Sequence, residues 1–264
     1  MIILITGISS GFGKAMAERL SKDGHTVYGT YRKTDTFIQG VRYLKADVRD
    51  EESVRAAVAE ILKEEGRIDL FINNAGMGTG GPLQFMTTDL AEEQMDVNFM
   101  GMIRFLKYIL PGMTARKKGR IICISSIAGL MGLPYQGLYS ASKFALEGYC
   151  EALRIELKPF NIKVTVVNPG DFSTAFTSKR KKPDDAEIKT LYPGYMKSMQ
   201  SIESDERRGL NPERLAGKIS KIVRKKHPAA RYIIAGPIQK MSVFIKKLLP
   251  PRWFDRILSL YYKM

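Results

Sequence analysis

The stretch that decides the fold runs from Ile2 to Gly13 and reads IILITGISSGFG. Its apolar start, Ile2–Ile5, is typical of a buried strand, and the amphipathic residues Phe12–Lys22 predict a helix directly after it. Three glycines in the spacing G-x-x-x-G-x-G lie at the junction and allow a tight turn close to a ligand. Because a helix N-terminus offers free N–H groups to phosphate, the stretch predicts a unit that binds the pyrophosphate of a dinucleotide.

Strand and helix patterns continue to alternate up to about residue 170. Strands separated by helices form right-handed crossovers, so this order predicts a parallel sheet covered by helices on both faces. The predicted strands are Thr26–Tyr31, Val41–Ala46, Leu70–Asn73, Arg120–Ser125, Val164–Val167 and, near the end, Tyr232–Ala235. The predicted helices are Glu51–Glu64, a long one within Leu90–Leu110 that ends at Pro111 and Gly112, Tyr139–Leu157 and Pro212–Lys226.

The predicted fold is α/β, with a three-layer, doubly wound parallel sheet in a single domain over residues 1–264. Residues 175–210 are polar and poor in strand signals, and we interpret them as a mobile substrate loop. Residues 237–264 form a basic, apolar extension that Pro250 and Pro251 split into two short helices. Apolar, basic and Trp side chains together suit an interfacial membrane helix. A helical hairpin that caps the substrate cleft or packs on another subunit is the alternative.

The charge of the chain is concentrated in its last third. Lys and Arg number 42 against 27 Asp and Glu, and residues 175–264 hold 21 of the basic but only 8 of the acidic residues. This asymmetry favours a surface that attracts anions, although a solvated basic face explains it equally well.

The sequence has no nucleic-acid motif, so we expect no nucleic-acid partner. His25 and His227 are isolated and no metal-ligand cluster is visible, so we expect no metal. Two cysteines suit a reducing, cytoplasmic compartment.

The end of the second strand indicates the type of cofactor. An acid at this point is typical of NAD enzymes, where it binds the ribose hydroxyls. Here the stretch reads Tyr31-Arg32-Lys33. Two cations favour the additional phosphate of NADP(H), unless both are merely exposed loop residues. The sequence therefore predicts NADP(H) in preference to NAD(H).

Three hydroxyl and amine side chains suggest a reacting centre. Tyr139 and Lys143 lie four residues apart in a predicted helix, which places them one turn apart on the same face. A nearby ammonium stabilises a phenolate, so Lys143 is expected to bring the Tyr139 pKa toward a useful range. Ser126 ends the preceding strand, where its hydroxyl can bind a substrate oxygen.

Further motifs lie in an order that matches a known family. Asp47-Val48 follows the third strand, Asn73-Asn74-Ala75-Gly76 follows the fourth, and Pro169-Gly170 follows the sixth. From Ile2 to Gly236 the chain resembles the short-chain dehydrogenases/reductases, in the subgroup with one Rossmann-type domain. The resemblance implies a catalytic tetrad of Asn98, Ser126, Tyr139 and Lys143. It implies cofactor contacts from Thr6, Gly7, Ser9, Ser10, Gly11, Phe12, Gly13, Tyr31, Arg32, Asp47, Val48, Asn74, Ala75, Gly76, Tyr139, Lys143, Pro169, Gly170, Phe172 and Thr174.

The resemblance also implies a mechanism. A hydride passes between NADPH and the substrate carbonyl carbon, Tyr139 protonates the oxygen, Ser126 orients it, and Lys143 lowers the Tyr139 pKa and holds the nicotinamide ribose. Asn98 holds a relay water. The family further implies a homodimer or tetramer, through the helices in Leu90–Leu110 and Tyr139–Leu157. A regulatory NADP(H) sensor on the same fold is the alternative, although a sensor has no need of Tyr139 and Lys143.

The substrate is expected to be lipophilic. The stretch from Gly129 to Pro134 and the catalytic helix after it are similar to 17β-hydroxysteroid and retinol dehydrogenases. Apolar side chains of the substrate loop are expected to line the pocket, namely Phe176, Leu191, Tyr192, Tyr195, Met196 and Met199. The basic run Lys179–Lys182 is interpreted as a solvated flap tip, with attraction of an anionic substrate as the alternative.

Overall fold

The computed structural model describes residues 1–33 and 37–262, and its centre is a parallel sheet. Within these residues the sheet has seven strands in the order β3-β2-β1-β4-β5-β6-β7. The strands are β1 (Ile2–Ile5), β2 (Thr26–Tyr31), β3 (Val41–Lys45), β4 (Leu70–Asn73), β5 (Gly119–Ile124), β6 (Ile162–Pro169) and β7 (Arg231–Ile234). The direction of winding reverses between β1 and β4, which opens a crevice at the carboxyl ends of the strands.

Ten helices are described alongside the sheet in these ranges. They are α1 (Gly11–Lys22), α2 (Glu51–Glu65), α3 (Thr88–Met95), α4 (Gly101–Ala115), α5 (Gly137–Glu156), α6 (Ile188–Leu191), α7 (Tyr195–Arg207), α8 (Pro212–Arg224), α9 (Pro237–Leu248) and α10 (Pro251–Tyr262). The predicted α/β class with a doubly wound sheet is thus confirmed. Of the predicted extension 237–264, Lys263 and Met264 lie outside the described residues.

Two apolar layers hold the helices against the sheet. Successive side chains of a strand point to opposite faces, so Leu4 packs with α2, α4 and α5, whereas Ile3 and Ile5 pack with α1 and α8. Phe71 and Phe105 stack at 5.5 Å in the first layer. Both faces of the sheet are therefore dry, as a parallel sheet requires.

The prediction that Pro111 and Gly112 end a helix is wrong. Helix α4 continues through both residues to Ala115. Ile109 and Met113, on either side of the proline, are buried in the core, and this packing outweighs the local cost of the proline. The predicted long helix is also divided, because a wide π-type turn, Asp96–Met100, separates α3 from α4.

The segment 175–210, predicted to be a mobile insertion with a solvated tip, forms ion pairs with the body of the protein, and within its basic run Arg180 is buried while Lys179, Lys181 and Lys182 are exposed. Arg180 is buried and pairs with Glu206, while Lys181 pairs with Glu93 on α3. Lys182 pairs with Glu203 on α7. The basic run therefore serves as a set of anchors, because each of these three cations has a carboxylate partner.

Candidate active site

The glycine turn forms a cradle at the N-terminus of α1. Gly7 and Gly11 have φ angles of +73° and +56°, which favour glycine. A Cβ on Gly13 would lie 2.1 Å from the Gly7 carbonyl oxygen, so only glycine lets the helix approach the turn. The Ser10 side chain does not cap α1, which leaves the first N–H groups of the helix available to an anion. These residues fit a dinucleotide pyrophosphate.

Asn74 and Thr6 lock the cradle to the end of β4. The Asn74 amide donates to the carbonyl oxygens of Thr6 and Gly7 at 2.9 and 3.1 Å. The Thr6 hydroxyl accepts from the backbone N–H groups of Asn74 and Ala75, each at 2.9 Å. Thr6 and Asn74 therefore shape the turn, and Thr6 does so from a fully buried position.

Cations surround the outer end of the cradle. Arg32, Lys33 and Lys45 line the cavity there and, within the described residues, have no salt-bridge partner. Asp47 is paired with Arg49 at 2.7 Å, and this pairing lowers the pKa of the Asp47 carboxyl. Of the described acids that line this end, Asp47 pairs with Arg49 and Glu93 pairs with Lys181, so the three unpaired cations face only Asp50 among the described residues and favour a phosphate. Lys45 and Arg49 were missed at the sequence level because no motif marks them.

One cavity of about 1470 Å³ joins this cradle to the end of α5. All the predicted site residues line it except three, Thr6, Gly13 and Asn98. Those three lie behind the cavity wall, where Thr6 and Asn98 form hydrogen bonds to its backbone and Gly13 packs against it. The sheet order thus brings together side chains that are up to about 170 residues apart in the chain.

Burial dominates the titration of the predicted tyrosine and lysine. It raises the pKa of Tyr139 to about 12, against the effect of a Ser126 hydrogen bond, which lowers the pKa. It also lowers the pKa of Lys143 to about 8. The expected lowering of the Tyr139 pKa by Lys143 is not seen, because the ammonium lies 5.7 Å from the ring centre and donates to the Ile124 carbonyl oxygen at 2.9 Å. Tyr139 therefore holds its proton at neutral pH.

Ser126 is fixed from two sides. Its hydroxyl accepts from the Ala128 N–H at 3.1 Å, and its carbonyl oxygen accepts from the Asn168 amide at 2.8 Å. Asn168 also donates to the buried Glu147 carboxylate at 2.6 Å, and Glu147 pairs with Arg231 at 2.7 Å. This buried network joins β6, α5 and β7 and sets the position of Ser126. It was missed in the sequence because its members are scattered.

Asn98 acts through the backbone of another segment. Its side chain accepts from the Met77 N–H at 2.8 Å and donates to the Met77 carbonyl oxygen and to Ser142, each at 3.0 Å. Asn98 is 1% exposed, and the π-type turn directs it between the β4 loop and α5. Its side chain thus ties the cavity wall after β4 to the helix that carries Tyr139.

Three carboxylates lie together on the wall near Tyr139. Asp171 and Asp205 line the cavity with Glu206, whose charge raises the pKa of Tyr139. Burial, together with the Glu206 and Asp205 charges, raises the pKa of Asp171 to about 6. Glu206 is paired with Arg180, so Asp171 lacks a cation of its own among the described side chains. This cluster could not be predicted, because its members come from two distant segments of the chain.

The apolar part of the cavity is built differently from the prediction. Phe176 lines the cavity, with its ring centre 5.4 Å from that of Tyr139, and Met131 and Leu133 line it too. The remaining loop residues do not: Leu191 and Met196 are largely exposed, and Tyr192, Tyr195 and Met199 pack in a separate cluster. Helices α9 and α10 supply the wall instead, which agrees with the alternative of a capping hairpin. The residues are Ile238, Gln239, Met241, Ser242, Ile245, Phe254, Ile257, Leu258, Tyr261 and Tyr262.

Comparisons with known proteins identify the family. A family model described as short chain dehydrogenase matches residues 1–185. The chain is 47% identical over 262 residues to a 3-ketodihydrosphingosine reductase from Bacteroides thetaiotaomicron, covering 99% of this chain and 97% of that protein. It is 36% identical over 254 residues to 17-beta-hydroxysteroid dehydrogenase type 1 from Homo sapiens, covering 88% and 76%. A crystal structure of a short-chain dehydrogenase from Streptomyces avermitilis has a TM-score of 0.80 and 27% identity, covering 99% and 96%.

The family model covers well over half of the chain, and the relatives extend the match to nearly its whole length. The family predicted from the motifs is thereby confirmed, together with the enzyme class. Within the described residues, no helix is both long and apolar enough to cross a membrane. The chain belongs to the short chain dehydrogenase family and is an oxidoreductase that acts on CH–OH groups with NAD(P)+ as acceptor.

Proposed function

We propose that this enzyme uses NADPH to reduce a long-chain ketone that carries an amino group next to the carbonyl. The observation that carries the proposal is the position of Asp171, which has no salt bridge among the described residues, next to Glu206 and Asp205 in the cavity that also holds Tyr139 and the apolar wall of α9 and α10. The relative that is 47% identical is a 3-ketodihydrosphingosine reductase, whose substrate has this chemistry. A buried carboxylate without a cation of its own matches an ammonium group.

The preference for NADPH is supported by the cations at the outer end of the cradle. Arg32, Lys33 and Lys45 would hold the 2′-phosphate, and the N-terminus of α1 would hold the pyrophosphate. The bound cofactor supplies the hydride. Asp47 is occupied by Arg49 and is therefore less available to a ribose hydroxyl.

The chain's own residues would move the proton and orient the carbonyl. Tyr139 holds its proton at neutral pH and can donate it to the oxygen of the ketone as negative charge develops. Ser126 would donate a hydrogen bond to the same oxygen. The Lys143 ammonium, which lies 5.7 Å from the Tyr139 ring centre and donates to the Ile124 carbonyl oxygen, would hold the ribose of the nicotinamide. Phe176 packs beside Tyr139, with the two ring centres 5.4 Å apart.

The experiment is an NADPH-consumption assay with two long-chain ketones that differ only in the amino group. Wild type should prefer the amino ketone, and Asp171→Asn should raise its KM at least tenfold while leaving the KM of the neutral ketone unchanged. Tyr139→Phe should lower kcat by a factor of about 10²–10⁴ and leave NADPH binding intact. Equal use of both ketones by wild type would refute the amino-ketone specificity, and unchanged kcat in Tyr139→Phe would refute the mechanism.

The cofactor preference needs a separate test by titration calorimetry. Arg32→Ala should weaken NADPH binding about tenfold and leave NADH binding unchanged, because only NADPH carries the additional phosphate. Lys63→Ala, an exposed lysine that does not line the cavity, is the control. Equal weakening of both cofactors by Arg32→Ala would remove the case for NADPH.

We also propose a homo-oligomer through α4 and α5 and a cytoplasmic location. The support for the first is an apolar stripe on the outer face of α5, which includes Phe144 and Ile155. The support for the second is that Cys123 and Cys150 are both buried and free.

A further inference from the structure

Exposed large apolar side chains are concentrated on α9 and α10. Among the described residues, seventeen large apolar side chains are exposed, and eight of them lie on these two short helices. They are Ile238, Met241, Phe244, Leu248, Trp253, Ile257, Leu260 and Tyr261. A contiguous exposed apolar surface of this kind marks an interaction site.

This surface is continuous with the wall of the cavity. Four of the eight residues also line the cavity, namely Ile238 and Met241 on α9 and Ile257 and Tyr261 on α10. Ile238 is 77% exposed and Tyr261 is 57% exposed, so the same side chains face both the cavity and the outside. The cavity therefore has a mouth between α9 and α10, and we call these four residues the apolar mouth.

Cations flank the apolar mouth on both helices. Residues 237–262 contain five basic side chains, Lys240, Lys246, Lys247, Arg252 and Arg256, and a single acid, Asp255. None of the five forms a salt bridge within the residues that the structure describes. Long basic side chains beside exposed apolar ones suit the headgroup region of an anionic bilayer.

We propose that α9 and α10 dock on an anionic lipid surface with the apolar mouth toward the acyl chains. A lipid ketone then passes from the bilayer to Tyr139 without crossing water. The route for substrate rests on the proposed function, whereas docking does not. A second copy of the chain fits this surface less well, because five cations against one acid would face the same set in a two-fold interface.

Trp253 is the single tryptophan of the chain and is 63% exposed on α10, so its fluorescence reports docking directly. Vesicles of phosphatidylcholine and phosphatidylglycerol at 3:1 should shift its emission to shorter wavelength, and brominated acyl chains should quench it. Vesicles of phosphatidylcholine alone should bind at least tenfold more weakly. The variant Leu248→Ser/Leu260→Ser should lose most of the binding, because both residues are exposed on the docking surface. Neither residue lines the cavity, so the variant should leave the active site unchanged.

Leu191→Ser is the matched control, because Leu191 is also exposed but lies on α6. It should bind vesicles as wild type does. Lys240→Glu/Lys247→Glu should remove the preference for phosphatidylglycerol. An unshifted wild-type spectrum, or full binding by the double leucine variant, would overturn the proposal. So would a blue shift that depends on protein concentration without lipid, which would mean that a second copy covers the surface.

A kinetic comparison separates the route from the chemistry. The double leucine variant should turn over a short, water-soluble ketone at the wild-type rate and a long-chain ketone embedded in 3:1 vesicles at least fivefold more slowly. Equal rates on the embedded ketone would overturn the route. Failure of wild type to turn over any ketone would instead contradict the proposed function, and the fluorescence result would still stand.

Discussion

Tyr139 and Lys143 occupy one face of α5, and burial moves their pKa values in opposite directions, to about 12 and about 8. The tyrosine therefore holds its proton at neutral pH, although the raised pKa also makes it a weaker acid toward a ketone oxygen. Burial also brings the pKa of the lysine close to physiological pH. Burial is thus the main cause of both pKa shifts, the rise at Tyr139 and the fall at Lys143.

Asp171 stores a pH-dependent cost in the folded protein. Its pKa is raised from 3.8 to about 6, so the folded chain holds this proton more tightly than the unfolded chain. The free energy of unfolding therefore falls as pH rises from about 4 to about 6, and the full penalty is present at pH 7. We expect Asp171→Asn to raise the free energy of unfolding by about 1–2 kcal/mol at pH 7 and by little at pH 4.

Urea denaturation of wild type and Asp171→Asn at both pH values measures this difference. An equal gain at pH 4 and pH 7 would show that the carboxylate charge is not the cause. If the neutral variant is more stable, the Asp171 carboxylate destabilises the fold. A residue that lowers stability in this way is typically retained because it binds a ligand.

At the level of the elements, the junction of β1 and α1 depends on Gly13. A Cβ there would meet the Gly7 carbonyl oxygen at 2.1 Å and the Asn74 amide at 2.7 Å, so Gly13→Ala must displace the helix. We expect this variant to lose about 2–3 kcal/mol of unfolding free energy. Gly217→Ala, in α8, is the control, because its Cβ would meet nothing within 4 Å and should stabilise the protein by about 0.5–1 kcal/mol. Similar losses in both variants would contradict the close approach.

The Arg180–Glu206 pair fastens the segment after β6 to α7. Arg180 is fully buried at its side chain, and Glu206 is 13% exposed. Arg180→Met would leave a carboxylate without its cation, so we expect a loss of about 3 kcal/mol or more in thermal or chemical unfolding. The exposed pair of Arg55 and Glu52 gives the comparison, since Arg55→Met should change stability by less than about 0.5 kcal/mol. A small effect of Arg180→Met would mean that the segment is held by its apolar contacts.

Features that are set by residues close together in the sequence could be predicted, whereas features that depend on tertiary packing could not. The glycine turn, the alternation of strands and helices and the Tyr139–Lys143 spacing are set by neighbouring residues and could be predicted. Pro111 could not, because the packing of Ile109 and Met113 decides its tolerance. Tyr195 and Met199 show the same apolar pattern whether they line a cavity or pack in a cluster, and only the tertiary structure distinguishes the two.

The acidic cluster and the tail were unpredictable for a related reason. Asp171 and Asp205 are 34 residues apart, and no short motif marks their meeting at the cavity. The amphipathic pattern of α9 and α10 fits a membrane, a cap or a subunit contact, because each partner demands the same apolar face. Because α9 and α10 line the cavity, they act as its cap. The exposed part of the same apolar face is left for another partner.

At the scale of the whole molecule, the outer face of α5 is the surface we assign to self-association. Phe144 and Ile155 are 44% and 74% exposed and lie eleven residues apart, which places them on one stripe of the helix. We expect Phe144→Asp to convert the oligomer to a monomer in sedimentation velocity. Phe160→Asp, which changes an exposed residue beyond the end of α5, should leave the oligomer intact. A monomeric wild type, or an oligomer that survives Phe144→Asp, would exclude this interface.

Apolar side chains of α9 and α10, the helices that wall the cavity, pack in a cluster that is separate from the two core layers on the faces of the sheet. Phe254 and Val243 pack with Ile127 and Met131, whereas the two core layers draw on the sheet and its covering helices. Residues of the wall can therefore be exchanged with little effect on the glycine cradle or on Tyr139. During evolution, such a division lets the range of substrates drift by single substitutions while the machinery for hydride and proton transfer is inherited unchanged.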